Sequence, residues 1–173
     1  MIMDENAFDP VDTQASGIGA SEMGPQGITP AGTEPVETTR MFVDAVAWGD
    51  HQTVWDLLGT DGRETVLKVA VNHGMDEAAA DRLREGTASA AERGTFLVDL
   101  VYGLRNDLTG NDLDALQYEL EPESPEPTHA RVVLSVQMPA ALGGELPVGA
   151  AELSHDGERW RVERLIPRRS QSA

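Results

Sequence analysis

An α+β domain, helices first and an antiparallel sheet after them, is the fold this sequence predicts, and three observations predict it. Apolar residues recur at helical spacing as far as Leu104. From Leu116 onward they alternate with polar residues at a spacing of two. The last two alternating runs flank Asp156-Gly157, a dipeptide suited to a two-residue hairpin turn. The expected architecture is a set of N-terminal helices packed on a curved antiparallel sheet of about four strands. It spans residues 35–167, between a disordered acidic arm at 1–34 and a short basic tail at 168–173.

The arm is built from Gly, Pro, Ser, Thr and acidic residues, has no Lys or Arg, and carries only scattered Ile, Met and Phe. Such a segment buries too little apolar surface to offset its ordering entropy. Asn6-Ala-Phe-Asp-Pro10 and Gly27-Ile-Thr-Pro30 are the places in it that could serve as a docking peptide. Helix one then opens at Pro35, with Met41, Ala45 and Trp48 on one side, Phe42 and Val46 beside them, and Gly49 at its end. Asp50 is placed to cap a second, short helix through Val54, Trp55, Leu57 and Leu58. Asp61-Gly-Arg-Glu64 reads as a capping box for a third through Leu67 and Ala70, closed by Gly74. Asp76 caps a fourth from Glu77 to Arg84, and Ser89-Ala-Ala-Glu92 is a capping box for the longest stripe, Phe96, Leu97, Leu100, Val101 and Leu104.

Strands are expected at Leu116–Glu121, His129–Met138, Leu146–His155 and Arg159–Ile166. On the last, Trp160, Val162 and Arg164 share one face, so Arg164 is expected to lay its stem along the core with its head in water. The acidic, proline-rich run 121–127 separates the first two strands.

The chain has 173 residues, 40% apolar and 5% aromatic, which is one ordinary domain with an aliphatic core. A formal charge of -17 makes nucleic acid and anionic lipid poor partners and favours solubility. There is no cysteine, which excludes disulfides, thiolate metal sites and a cysteine nucleophile. The opening Met1-Ile-Met-Asp-Glu5 lacks the basic and apolar regions of a signal peptide, and no run approaches the ~18 apolar residues of a membrane span. The expectation is a cytoplasmic protein.

Helices opening on an amphipathic one, followed by a meander that ends in Leu153-Ser-His-Asp-Gly-Glu-Arg-Trp-Arg-Val162, resemble the nuclear transport factor 2-like superfamily, the cystatin-like α+β cone. The helix-one segment running into Trp55-Asp-Leu-Leu58 and the terminal Asp156-Gly-x-x-Trp160-Arg-Val162 hairpin carry the resemblance, which spans roughly Val36 to Pro167. It implies a sheet wrapped around the helices with a pocket at its open end. That cone serves cyclases, isomerases, epoxide hydrolases and dehydratases as well as non-catalytic protein-binding modules, so fold alone does not settle function. No signature transfers a catalytic role to any position here.

Local motifs add little. The chain has no phosphate loop, nucleophile elbow or zinc helix, and Gly17-Ile-Gly-Ala20 follows no strand. His51, His73, His129 and His155 are not spaced as metal ligands, and Asp107, Asn111, Asp112 and Asp114 miss the calcium-loop spacing. Neither a metal nor a cofactor is expected. Glu119, Glu121, Glu123 and Glu126 read as an exposed strand face and a solvated loop.

If a pocket exists, Trp55, Tyr102, Tyr118, His129 and Trp160 are its expected lining, with a tyrosine hydroxyl to orient a ligand. Two functions stay open. One is a non-catalytic interaction or assembly module with a protein partner or as a homodimer. The other is a small-molecule binder or cyclase- and isomerase-like enzyme, for which Asp44, Asp56 and Asp99 are the candidate carboxylates and a small apolar compound the ligand. The discriminating feature is the cone's mouth, which large side chains such as Trp160, Val162, Leu134 and Met138 would fill.

Overall fold

The computed structural model describes residues 34–108, 112–122 and 127–168. The N-terminal arm, apart from Glu34, lies outside the described residues, as do Glu123, Glu126 and the tail beyond Arg168. Five helices come first: α1 (Glu34–Trp48), α2 (His51–Leu57), α3 (Thr60–Asn72), α4 (Glu77–Glu85) and α5 (Ala90–Asp107). A short 3-10 turn at Leu113–Ala115 leads into the strands β1 (Leu116–Leu120), β2 (His129–Gln137), β3 (Glu145–His155) and β4 (Trp160–Pro167). They form one antiparallel sheet in the order β1-β2-β3-β4, so the α+β expectation holds.

Several helix ends follow from their own residues. Asp50 accepts the Thr53 amide, Asp76 accepts the Ala79 amide, and Ser89 and Glu92 make the reciprocal capping box that opens α5. Helix α1 buries Phe42, Val43, Ala45 and Val46 against the sheet, while Met41 and Trp48 stand exposed. The buried stripe is therefore turned from the one expected. Pro35, Thr39, Phe42, Val43 and Val46 make its centre, and positions 41 and 48 fall on the opposite flank.

Helix α3 departs from its expected start. Its N-cap is Gly59 and not Asp61, and Glu64 does not reach back but pairs with Arg84 and Lys68. The helix is capped from the sheet instead, because the Gly62 amide donates to Glu163 Oε2 at 2.6 Å. Leu58 forms a parallel bridge to Val162, and the Gly59 amide donates to the Val162 carbonyl at 2.9 Å. A methyl group at position 62 would fall 2.8 Å from that same carbonyl oxygen, so only glycine lets α3 approach β4 this closely.

Glu163 reaches α3 because β4 carries one extra residue. Leu153 opposes Val162 and Glu152 opposes Arg164, which leaves Glu163 without an opposite number. Side-chain alternation is reversed beyond it. Leu165, not Arg164, packs on the core, and Arg164 is an exposed outer-face residue beside Glu152. The hairpin before β4 also differs from the expected two-residue turn. His155 pairs with Trp160, and the four residues between them are organised by Asp156, which accepts the Glu158 and Arg159 amides at 3.0 and 2.9 Å.

The main core lies between α1, α2, α5 and one face of the sheet, with Phe42, Val43, Val46, Val54, Val132, Leu134, Leu153 and Val162 at most 1% exposed. Full burial stabilises by about 1.5–3 kcal/mol for each large aliphatic or phenyl side chain. A satellite cluster of Leu67, Ala80, Leu83, Phe96 and Leu97 holds α3, α4 and α5 together.

The joint between α3 and β4 can be tested directly. Gly62→Ala is expected to lower unfolding free energy by about 1–3 kcal/mol because neither backbone can yield freely. Glu163→Ala is expected to cost about 1 kcal/mol, the loss of a helix cap. Urea unfolding of both variants checks this, and midpoints equal to the parent's would refute the joint.

Candidate functional site

Among the described residues, most of the side chains expected to fill a cone's mouth are packed in the interior. Leu134 and Val162 are fully buried and Trp160 nearly so, all in one cluster, while Met138 is half-buried just beyond β2.

The five residues expected to line a pocket are dispersed. Trp55 meets Phe96 edge-on at 5.6 Å and carries the Arg63 guanidinium over its ring at 4.9 Å. Trp160 meets the His155 ring at 5.2 Å. Tyr118, on β1, sits under the Arg40 guanidinium at 5.7 Å, whereas Tyr102 is 68% exposed on α5. His129 starts β2 in the open, and of the five it alone lines either groove described below. The carboxylates Asp44, Asp56 and Asp99 are all exposed, and Asp56 accepts from Gln52 Nε2.

Two open grooves mark the surface. The smaller, about 280 Å3, surrounds the α3–β4 joint between Leu58–Asp61, Arg63, Ser154, Asp156, Arg161 and Glu163. Its charged groups are largely committed to the fold. Glu163 holds the Gly62 amide and Ser154 Oγ, Arg63 donates to the Trp55 carbonyl at 2.8 and 3.2 Å, and Arg161 bonds Asp156 and the Asp56 carbonyl.

The larger groove, about 460 Å3, runs over the outer face of the sheet, with Asp61 and Thr65 of α3 as a shoulder at the β4 side. Its floor is a row of charges crossing all four strands. Glu121, just past β1, lies 3.5 Å from Arg131 on β2; Arg131 is opposite Glu152 on β3; and Glu152 lies 3.8 Å from Arg164 on β4. All four side chains are 42–63% exposed. Sequence reading missed this row. The i, i+2 pattern of each strand was visible, but the alignment depends on strand register and on the extra residue in β4.

Four carboxylates are held ionised by the donors around them. Glu92 is held down at about 2, first by the Arg82 guanidinium and then by Ser89. Asp156 is held still lower by Arg161 and two backbone amides, and Glu64 and Asp50 are lowered by their hydrogen-bond donors. Among the described residues every resolved carboxylate shift is downward, which keeps those groups ionised and unsuited to act as general acids near neutrality. Tyr118 moves the other way, to about 12, because burial and then the nearby Asp44 charge oppose its phenolate. Among the described residues no group of three or more metal-ligating side chains exists, and no helix is long and apolar enough to cross a membrane.

Comparison of the chain with models of known families, with curated proteins and with solved structures finds no match in any of the three.

Two titrations check the electrostatics. Phenolate absorbance is expected to show a component near 12 that Tyr118→Phe removes, and stability should fall as pH rises from 10 toward 12 because the folded state holds that proton more tightly. Glu92 is depressed in the folded state, so its contribution is present above 4.5 and is lost as pH falls toward 2. Glu92→Gln should flatten that acid limb of the stability curve, and an unchanged limb would contradict the assignment.

Proposed function

We propose that this chain is a non-catalytic protein-interaction or assembly module, with a nuclear transport factor 2-like cone as the fold-level part of the proposal and self-association or a protein partner as its mode of action. The observation that carries it is the filled interior. Where a substrate would enter a cone, Leu134, Trp160 and Val162 pack into the main core.

The surface supports the same reading. Trp48 is 82% exposed at the end of α1, and Met41, Val98, Tyr102 and Leu142 also stand more than half exposed. Exposed aromatic and Met side chains are the residue types that protein interfaces favour. Among the described residues the aromatics expected to line a pocket are dispersed, and Asp50, Glu64, Glu92 and Asp156 are held ionised by their hydrogen-bond donors, which favours the module over the cyclase-like alternative.

Affinity capture from cell lysate, with the full chain and with a version lacking residues 1–33, tests the proposal. A stoichiometric protein, or a second copy, should be retained. Trp48→Ala should reduce retention of a partner that docks there while changing stability by less than ~0.5 kcal/mol, as expected of an exposed site. A bound small molecule in native mass spectrometry, with no protein retained, would sink the module reading.

A further inference from the structure

We infer that the outer face of the sheet is the contact between two copies of this chain, matched about a twofold axis that runs along the strands; the inference rests on the assembly reading above. Across the sheet the exposed row reads Glu121, Arg131, Glu152, Arg164, alternating in sign from β1 to β4. A twofold axis lying in the interface parallel to the strands reverses the strand order of the second copy. Glu121 of one protomer then meets Arg164 of its partner, and Arg131 meets Glu152, each contact occurring twice. Rotation about the row itself would set like charge on like. The row therefore selects one of these two dyads.

Geometry permits the match. Strands about 4.8 Å apart make the row about 14 Å long. The usual ~30° angle between packed sheets displaces its ends by about 4 Å, within reach of Glu and Arg side chains. The neighbouring row on the same face is Glu119, Val133, Ala150 and Ile166, in which Val133 and Ile166 are part-exposed and Ala150 is buried between them. There the reversed order lays the stem of Glu119 along Ile166 of the partner with its head at the rim. The α3 shoulder at Asp61 and Thr65 lies on the β4 side, and the reversal carries it to the β1 side of the other copy, where the sheet order ends.

Charge balance favours this face. The whole chain carries -17, yet the row sets two acids, Glu121 and Glu152, against two arginines, Arg131 and Arg164. Charges farther away are screened over about 8 Å at physiological salt, so the local balance governs approach. Five residues of β1 and about seven along each of the other three strands give a plan area on the order of 400 Å2 per protomer. That sits at the low end for a specific interface and sets the expectation of a dimer in exchange at tens of micromolar.

The experiment is sedimentation velocity of the full chain at tens of micromolar in physiological salt, with Arg131→Glu and Glu152→Arg studied separately and mixed. The parent should self-associate, and each variant alone should associate at least tenfold more weakly, because Arg131→Glu faces Glu152 of its partner and Glu152→Arg faces Arg131. An equimolar mixture should form a one-to-one dimer, since every opposed pair then has opposite sign. Recovery in the mixture separates a matched interface from misfolding, which circular dichroism of each variant also checks. A monomeric parent overturns the inference, as does a parent dimer indifferent to both variants or a mixture that stays monomeric. A monomer that still captures a stoichiometric protein would end this inference and leave the module reading standing. A monomer that captures nothing would end both.

Discussion

One extra residue in β4 governs how the helices and the sheet are joined. Glu163 is left without a cross-strand neighbour, and its carboxylate turns to the Gly62 amide at the start of α3 and to Ser154 Oγ. That single insertion has three consequences. It gives α3 an N-cap from across the fold, and it leaves the Val162 carbonyl to bond the Gly59 amide, closing part of the sheet edge. It also reverses the alternation of the strand, so that Leu165 packs inward and Arg164 joins the outer charge row. Paired without the bulge, the same sequence would set Glu163 opposite Glu152, like charge beside like, and turn Arg164 toward the core. Local helix capping and long-range surface pattern thus follow from the same backbone irregularity.

A chain with 30 acidic and 13 basic residues has few cations to spend, and several of them go to helix ends. Neither α1 nor α2 has a basic residue in its last turn. Arg105 from α5 bonds the Val46 and Ala47 carbonyls, Arg63 bonds the Trp55 carbonyl, and Arg161 bonds the Asp56 carbonyl. Each guanidinium meets the negative end of a helix that has no basic residue of its own in its last turn. Such contacts tie distant segments together and do more than an exposed ion pair, whose typical worth is only ~0–1 kcal/mol. Arg82 with Glu92 and Arg84 with Glu64 play the lesser role, linking α3, α4 and α5 at the surface.

What could be read from the sequence was what depends on neighbours in the chain. Asp50, Asp76 and Ser89 cap the helices they were expected to cap, because a cap is settled within four residues. The change from helical to alternating spacing after Leu104 located the sheet for the same reason. Asp61 failed as a cap because α3 begins one residue before it, with Gly59 as N-cap, and the Gly62 amide is taken by Glu163, some hundred positions later. Arg164 was put on the wrong face because one inserted residue cannot be seen in a period-two pattern that looks unbroken. The exposure of Met41 and Trp48 was hidden likewise, since an apolar residue on the flank of a helix reads as part of its stripe until the packing partners are known. The charge row needs four strands in register, and no single segment contains it.

Acidity and contact are less opposed than the net charge suggests. Screening over about 8 Å at physiological salt means that an approaching surface senses the charges of one patch and not the sum over the chain. In the sequence the arm from Met1 to Thr33 has five acidic residues and no basic one, while the outer sheet face interleaves its glutamates with arginines. A uniformly acidic surface would keep every partner out except a basic one. An alternating row admits a surface of its own pattern and rejects one shifted by a single strand, because a one-strand slip sets Glu against Glu and Arg against Arg. Register specificity of that kind comes from repulsion as much as attraction, and it requires no deep pocket. On the proposed reading the filled interior and the patterned exterior belong together: Leu134, Trp160 and Val162 stabilise the core, and recognition falls to the sheet's other face.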